Sequence, residues 1–269
     1  LSGWSKGLAT VACLLPLLGG FLIPAGQLSA WAARTAPRMV DDRFLRLATN
    51  SLLLAGGAAL LILGLALLLG YGQRLRPRPV TRLAVRGAGL GYAVPGTVIA
   101  IGVLLPFAAI DRGVDGWARE WLGVSTGLLL SGTLTALLFA YCARFLPVAL
   151  HGVEAGLTRI RPSMDAAARA LGATPRAVLW RVHIPMLRGS LLTALLLVFV
   201  DVLKELPATL ILRPFNFNTL AVRTYELASD ERLADSAPFA LAIVLAGIGP
   251  VILLSRAISQ ARPGHAPLS

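Results

Sequence analysis

The sequence predicts an all-α integral membrane protein with about six transmembrane helices, and three observations carry that prediction. Of 269 residues, 56% are hydrophobic and 14% charged, and mean hydropathy is +0.74; an average soluble domain carries about 25% charged residues. Six windows of roughly 20 mainly apolar residues are bounded by charge or by Pro and Gly, the length that crosses a hydrocarbon core of about 30 Å at ~1.5 Å per residue. Only short loops separate them, too small to fold around a core of their own, so residues 1–269 read as a single transmembrane domain.

The first window runs from Gly7 to Ala25. The Ser29-Ala30-Trp31-Ala32-Ala33 stretch behind it also fits a small-residue cleavage site, but the basic flank of a signal peptide is almost absent, which favours a span. The second runs from Asn50 to Tyr71 and stops at Arg74, Arg76, Arg78, Arg82 and Arg86; the third, Gly87 to Ile110, stops at Asp111. The fourth, Gly127 to Leu150, precedes a long stretch from His151 to Arg188 that carries Arg159, Arg161, Arg169, Arg176, Arg181 and Arg188. The fifth runs from Gly189 to Leu212 and the sixth from Pro238 to Ser255.

The net charge of +12 comes almost wholly from arginine, and its distribution argues against nucleic acid as the partner. The arginines crowd two loops that are two spans apart, the positive-inside pattern, while the stretches Asp111–Glu120 and Arg213–Asp235 carry more acid than base. Both arginine-rich loops are therefore expected in the cytoplasm, with both termini of this segment. The stretch from Gly26 to Thr49 dissents: it belongs outside, yet carries Arg34, Arg38, Arg43 and Arg46 against Asp41 and Asp42.

Cys13 and Cys142 lie in apolar spans, so no disulfide framework organises the chain. His151, His183 and His265 have no ligand spacing, which argues against a stable metal site or a catalytic dyad. A phosphate-cradling G-x-x-x-x-G-K-[ST] loop is missing, since no Gly-Lys pair occurs. ATP hydrolysis, if the chain depends on it, is expected on another polypeptide.

Within the long stretch, Pro162-Ser163 opens a run of helix formers, with Ser163 placed as N-cap and Gly172 as a left-handed stop. Thr174-Pro175 then supplies a second N-cap with proline at the first helical position, and that helix is expected to end before Pro185. Ala166, Ala167 and Ala168 leave a face without bulk, flanked by Arg169, Arg176 and Arg181. Two readings fit: a docking knuckle for another protein, or an interfacial helix on anionic lipid.

The run Ala166-Ala167-Ala168-Arg169-Ala170-Leu171-Gly172, then nine residues, then Val182-His183-Ile184-Pro185, resembles the E-A-A-x3-G-x9-I-x-L-P loop of binding-protein-dependent ABC importer permeases. The resemblance implies an ABC type I importer (MetI-like) permease fold with cytoplasmic coupling helices. It implies an ATP-binding subunit, acting as a dimer, that binds ATP and receives Asp165, Ala166, Ala167, Ala168, Gly172 and Pro185 in a groove. The family glutamate is replaced by Ala166, and Asp165 one position earlier points about 100° away. The segment Asp201 to Ser229 looks like the corresponding part of ferric iron permeases of the bacterial inner membrane, which often fuse two six-helix halves. By that resemblance this chain is a C-terminal half, it binds no cofactor, and its partners are a second permease half, a periplasmic ferric-iron-binding protein and membrane lipid.

Asp201, Lys204 and Glu205 fall inside the fifth window, where a charge costs about 2.5–3.5 kcal/mol at the bilayer centre. A helix would put Asp201 and Glu205 on one face and leave the set one net negative charge, with Pro207 kinking or breaking the helix beside them. Either these residues face a translocation path, or they fix helix packing. Arg144 is read as snorkelling to the interface, without a transport role. Arg213, Asn216, Asn218, Arg223 and Glu226 form either a contact for a binding protein, an outer gate, or a solvated loop. Rival functions are the same importer with thiamine, a phosphonate or a polyamine as cargo, a gradient-driven carrier, and an intramembrane enzyme, for which no nucleophile and base converge.

Overall fold

A computed structural model describes residues 4–260, with side chains to residue 252, and all its regular elements are helices. They are α1 (Trp4–Met39), α2 (Asp42–Leu75), α3 (Pro79–Ala88), α4 (Gly96–Leu122), α5 (Leu134–Thr158), α6 (Pro162–Ala170), α7 (Pro175–Leu203), α8 (Pro207–Leu212), α9 (Leu220–Ser229) and α10 (Leu233–Gln260). Six of them, α1, α2, α4, α5, α7 and α10, are long and apolar enough to cross a bilayer. They correspond one to one with the six sequence windows. His265 lies outside the described residues.

The boundaries shift where local chemistry overrules hydropathy. Helix α4 continues past Ile110 to Leu122 because Asp111 and Asp115 are used to fold the following loop back onto it. Asp111 accepts from the backbone N–H groups of Leu129, Leu130 and Ser131 and from the Ser131 hydroxyl, and Asp115 accepts from Ser125, Thr126 and Gly127. Gly123, Gly127 and Gly132 take positive φ in this loop, a conformation that suits glycine. The fourth span therefore starts at Leu134, capped by Thr133, and not at Gly127.

Two compact units divide the described residues, one of 4–51 with 218–246, the other of 52–217 with 247–260. In the first unit Leu47, Leu220, Leu227 and Phe239 form a core, with Phe44 tilted against Phe239 at 5.3 Å. The Ser51 hydroxyl accepts from Leu220 N–H at 2.8 Å and Asn50 donates to the Asn218 carbonyl at 3.2 Å. Arg38 and Arg232 both pair with Asp235, so part of the dissenting positive charge after the first span has a partner. The most apolar window of α1 buries nothing within the chain.

The second unit is built around α5, which is buried over half of its apolar window. Gly152 and Gly156, spaced as Gly-x3-Gly, let α5 approach α7 closely. A Cβ on Gly152 would stand 2.9 Å from Ala194 Cβ, and one on Gly156 would stand 2.6 Å from Leu187. Small residues at such a seam allow the dispersion contacts that hold helices together in lipid, where water gives no hydrophobic drive. Gly91 packs against the Ala143 carbonyl so closely that a Cβ would overlap it.

One proline expectation changes and one holds. Pro185 does not end a helix, because a π-helical turn at Leu179–His183 precedes it and absorbs the missing N–H, so α7 runs unbroken from Pro175 to Leu203. At Pro207 the fifth span breaks, one of the two expected outcomes: α7 stops at Leu203, Lys204 is its C-cap, and Pro207 opens the separate α8.

Candidate functional sites

Two constellations of polar side chains lie in the second unit, one at the arginine-rich end and one within the spans. The first is built on α6. Its start is set by Arg161 in extended conformation and Pro162 at the first helical position, in place of the expected Ser163 cap. Gly172 adopts φ +81°, the left-handed stop expected of it, and Thr174 caps α7 by accepting from Ala177 N–H.

Helix α6 turns Ala166, Ala167 and Ala170 outward and Asp165 and Ala168 inward. Leu171, at 89% exposure, stands beside the alanines as a bare apolar tip. The 100° step between Asp165 and Ala166 thus separates a buried-side carboxylate from an open alanine face.

Asp165 is committed inside the chain. Arg74 Nε donates to its Oδ2 at 2.8 Å and His183 Nε2 meets its Oδ1 at 2.6 Å. The remaining Arg74 donors reach the Leu157 carbonyl at 2.5 Å and the Ile160 carbonyl at 2.8 Å. These carbonyls lie at the C-terminal end of α5, where a cation is favoured by the helix dipole, while Asp165 sits in the first turn of α6, where an anion is favoured. One guanidinium at the end of α2 therefore joins the end of α5 to the start of α6. Tyr71, one turn earlier, donates to the Pro175 carbonyl at 2.7 Å and packs edge-on against the fully buried His183.

Burial pushes the Asp165 carboxyl up, but the hydrogen bonds from Arg74 and His183, with their charge, outweigh it and hold it below the ordinary carboxylate range. A small cavity of about 90 Å³ opens here, lined by Tyr71, Arg74, Asp165, Arg169 and Pro175. Pro185 is exposed on α7, away from this cavity.

The second constellation surrounds the break between α7 and α8. The expected shared face of Asp201 and Glu205 does not form, because the helix ends between them. Asp201 pairs with Lys204 at 2.9 Å, and Lys204 is 62% exposed. Glu205 is buried and faces Arg144, with 3.6 Å between Arg144 Nε and its Oε2. Its other oxygen accepts from Ala208 N–H at 3.2 Å, tying down the start of α8, and its carbonyl accepts from Thr209, whose hydroxyl meets Tyr141 at 2.6 Å.

Arg144 thus has a partner in place of the snorkelling role, and it brings the formal charge of the four side chains to zero where one negative charge was expected. Gly96, the first residue of α4, makes the pair possible: a Cβ there would stand 2.6 Å from Glu205 Oε1 and would overlap Arg144.

The remaining predicted residues do not form one site. Asn218, Arg223 and Glu226 cluster in the first unit, with Arg223 to Glu226 at 3.1 Å and Asn218 to Glu226 at 3.5 Å. Arg213 and Asn216 belong to the other unit, where Arg213 donates to the Phe217 carbonyl and Phe215 projects at 96% exposure. Sequence reading missed Tyr71, Arg74, His183, Arg144 and Gly96. Arg74 carried a signal only as part of a charge count, and His183 only through its place inside the loop motif.

A family model described as "binding-protein-dependent transport system inner membrane component" matches residues 62–263, which takes in α6 and both constellations. The Fe(3+)-transport system permease protein FbpB 2 of Haemophilus influenzae is 29% identical over 215 residues, 80% of this chain and 39% of that protein. A putative 2-aminoethylphosphonate transport system permease protein, PhnV of Salmonella typhimurium, is 28% identical over 165 residues, 61% of this chain and 56% of that protein. The chain thus spans about two fifths and about half of the lengths of these two relatives. A solved bacterial ABC transporter involved in import of the acidic polysaccharide alginate has a chain with the same fold, at TM-score 0.71 and 15% identity, covering 96% of this chain and 97% of that one.

Proposed function

Because the chain belongs to the family of inner membrane components of binding-protein-dependent transport systems, we propose that it is the permease subunit of an ATP-driven importer that moves ferric iron from a periplasmic binding protein to the cytoplasm. The observation that carries this reading is the open alanine face of α6 beside Leu171, backed by a carboxylate that Arg74 and His183 hold inside the chain. A separate ATP-binding subunit would seat on that face, bind and hydrolyse ATP, and work as a dimer against this chain and a second permease half. A cytoplasmic position for the arginine-rich ends, α6 and both termini of this segment is supported by the charge asymmetry.

In this reading Ala166, Ala167, Ala168, Gly172 and Pro185 shape the docking segment, and Asp165 anchors it without reaching the ATPase. The family glutamate is thereby left without a replacement. The translocation path is assigned to the break holding Asp201, Lys204, Glu205 and Pro207, with Arg144 added as counter-charge. A set of zero formal charge offers a trivalent cation no deep electrostatic well, so cargo choice is assigned to the binding protein. Arg213, Asn216, Asn218, Arg223 and Glu226 are assigned to the periplasmic side, for that protein or an outer gate.

Iron as cargo is supported by the similarity to the Haemophilus permease, and a phosphonate is the second reading, supported by the Salmonella relative. The test is co-purification of the native permease with its ATPase, wild type against Gly172→Arg, followed by ATPase assay with a binding protein loaded with ferric iron or with 2-aminoethylphosphonate. Stimulation by the ferric form that the Gly172 change abolishes is the expected result. Stimulation by the phosphonate form alone moves the cargo, and failure of wild type to bring down any ATPase removes the importer reading.

A further inference from the structure

Helix α3 and its flanks expose a cationic and apolar surface among the described residues. From Arg43 to Ile110 the sequence contains no Asp or Glu. Arg76, Arg78, Arg82 and Arg86 are exposed, and none forms an ion pair among the described residues.

The helix has three sectors at 100° per residue. Thr81, Val85 and Ala88 are half-buried on the side that packs against α5. Arg82 and Arg86, four apart, form the second sector. Val80 at 75% exposure and Leu83 at 72%, with Gly87, form the third, and Leu90 continues it at 69%. Water does not favour the third sector and apolar lipid does not favour the second. The boundary between acyl chains and headgroups suits both.

Topology places the helix at that boundary. Pro79 follows the end of span α2 at Leu75 by a few residues, and span α4 begins at Gly96 just after Leu90. Arg74 ties this end of α2 to the end of span α5, so the level is that of the membrane surface. Glu154 on α5 lines a cavity beside Pro77, but one carboxylate does not balance Arg76, Arg78, Arg82 and Arg86, so most of the complementary charge must come from outside the chain.

We propose that α3 is a binding site for anionic phospholipid, with Val80, Leu83 and Leu90 seated among the upper acyl carbons and Arg78, Arg82 and Arg86 on headgroup phosphates. Exposed basic residues at a membrane surface each contribute about a fivefold preference for anionic lipid. The site does not depend on which cargo the protein carries.

The test uses the permease complex taken from native membranes and reconstituted into discs of phosphatidylcholine with and without phosphatidylglycerol. Native mass spectrometry reads the phospholipids retained, and a photo-reactive residue in place of Leu83 reads what touches the face. Expected are preferential retention of phosphatidylglycerol by wild type, loss of about thirtyfold in that preference with Arg82→Gln/Arg86→Gln, near-wild-type preference with Arg82→Lys/Arg86→Lys, and lipid adducts from position 83.

Equal retention of both lipids, or an unchanged preference in the glutamine variant, overturns the proposal. So does displacement of the lipid by inorganic phosphate, which would make the site one for a free oxyanion, and so does a protein adduct from position 83, which would make the face a subunit interface. If the glutamine variant fails to assemble, the lysine variant and the adduct still decide.

Discussion

Replacing Arg74 with methionine removes the one side chain that joins α2, the end of α5 and the start of α6. The Arg74 and Asp165 side chains are 17% and 18% exposed, and removing one partner of a well-buried pair costs about 3–5 kcal/mol. Partial access to water puts the effect at the lower end, about 3 kcal/mol, including the Leu157 and Ile160 carbonyls left without this donor. For a domain of this size that lowers Tm by about 6–12 °C. Asp165→Asn keeps the shape and one acceptor, so its own cost is about 1–2 kcal/mol. The informative quantity is the interaction term from the double-mutant cycle, expected at about 1–3 kcal/mol. Thermal unfolding of detergent-purified wild type, both single variants and the double variant measures it. Stimulation of the partner ATPase by loaded binding protein should fall in the same order. Additivity within about 0.5 kcal/mol, with Arg74→Met melting beside wild type, would show that the guanidinium carries no tension between these helices and would refute the reasoning.

Gly96→Ala should destabilise by about 1–3 kcal/mol, because Glu205 is tethered through Ala208 and only Arg144 can give way; uptake measured against expression level should fall more than the amount of assembled protein. Gly156→Leu should separate α5 from α7 and lower both yield and Tm, while Gly72→Ala, where a Cβ meets nothing within 4 Å, should leave both unchanged in the same melting assay. The lowered carboxyl of Asp165 contributes stability that is complete above the ordinary carboxylate range and is lost as pH falls through its depressed value. Wild type should therefore lose its advantage over Asp165→Asn as the pH of the melt drops below about 5, and parallel melting curves for the two across that window would contradict the assignment.

The spans were legible because apolar length is a one-dimensional property, and local backbone signals such as Gly172 and Thr174-Pro175 were legible for the same reason. The outward turn of Ala166 against Asp165 also followed from helical geometry alone. What escaped is long-range in sequence. Arg74 was one of five arginines in a loop, and nothing local distinguishes the one that finds Leu157, Ile160 and Asp165. Arg144 meets Glu205 only because Gly96 on a third helix leaves room for both. The placement of Asp201 and Glu205 on one face assumed a helix that continued to Pro207, whereas the chain breaks before Glu205, which then caps the next helix. Gly152-x3-Gly156 falls beyond the apolar window that ends at Leu150, so neither its place on α5 nor its partner on α7 was legible as a close-packing signal.

The unbroken course of α7 has a mechanical consequence. Its 29 residues from Pro175 to Leu203 make a rod about 43 Å long at ~1.5 Å per residue. One end adjoins the Tyr71 and Asp165 contacts and the other stops at the Glu205 break. The π turn at Leu179–His183 lets proline enter this rod without a hinge, so a tilt imposed near Pro175 arrives undamped at Leu203. A rotation of about 10° about one end would carry the other by about 7.5 Å for a rod of this length, more than a helical turn, at the place where Arg144 and Glu205 face each other.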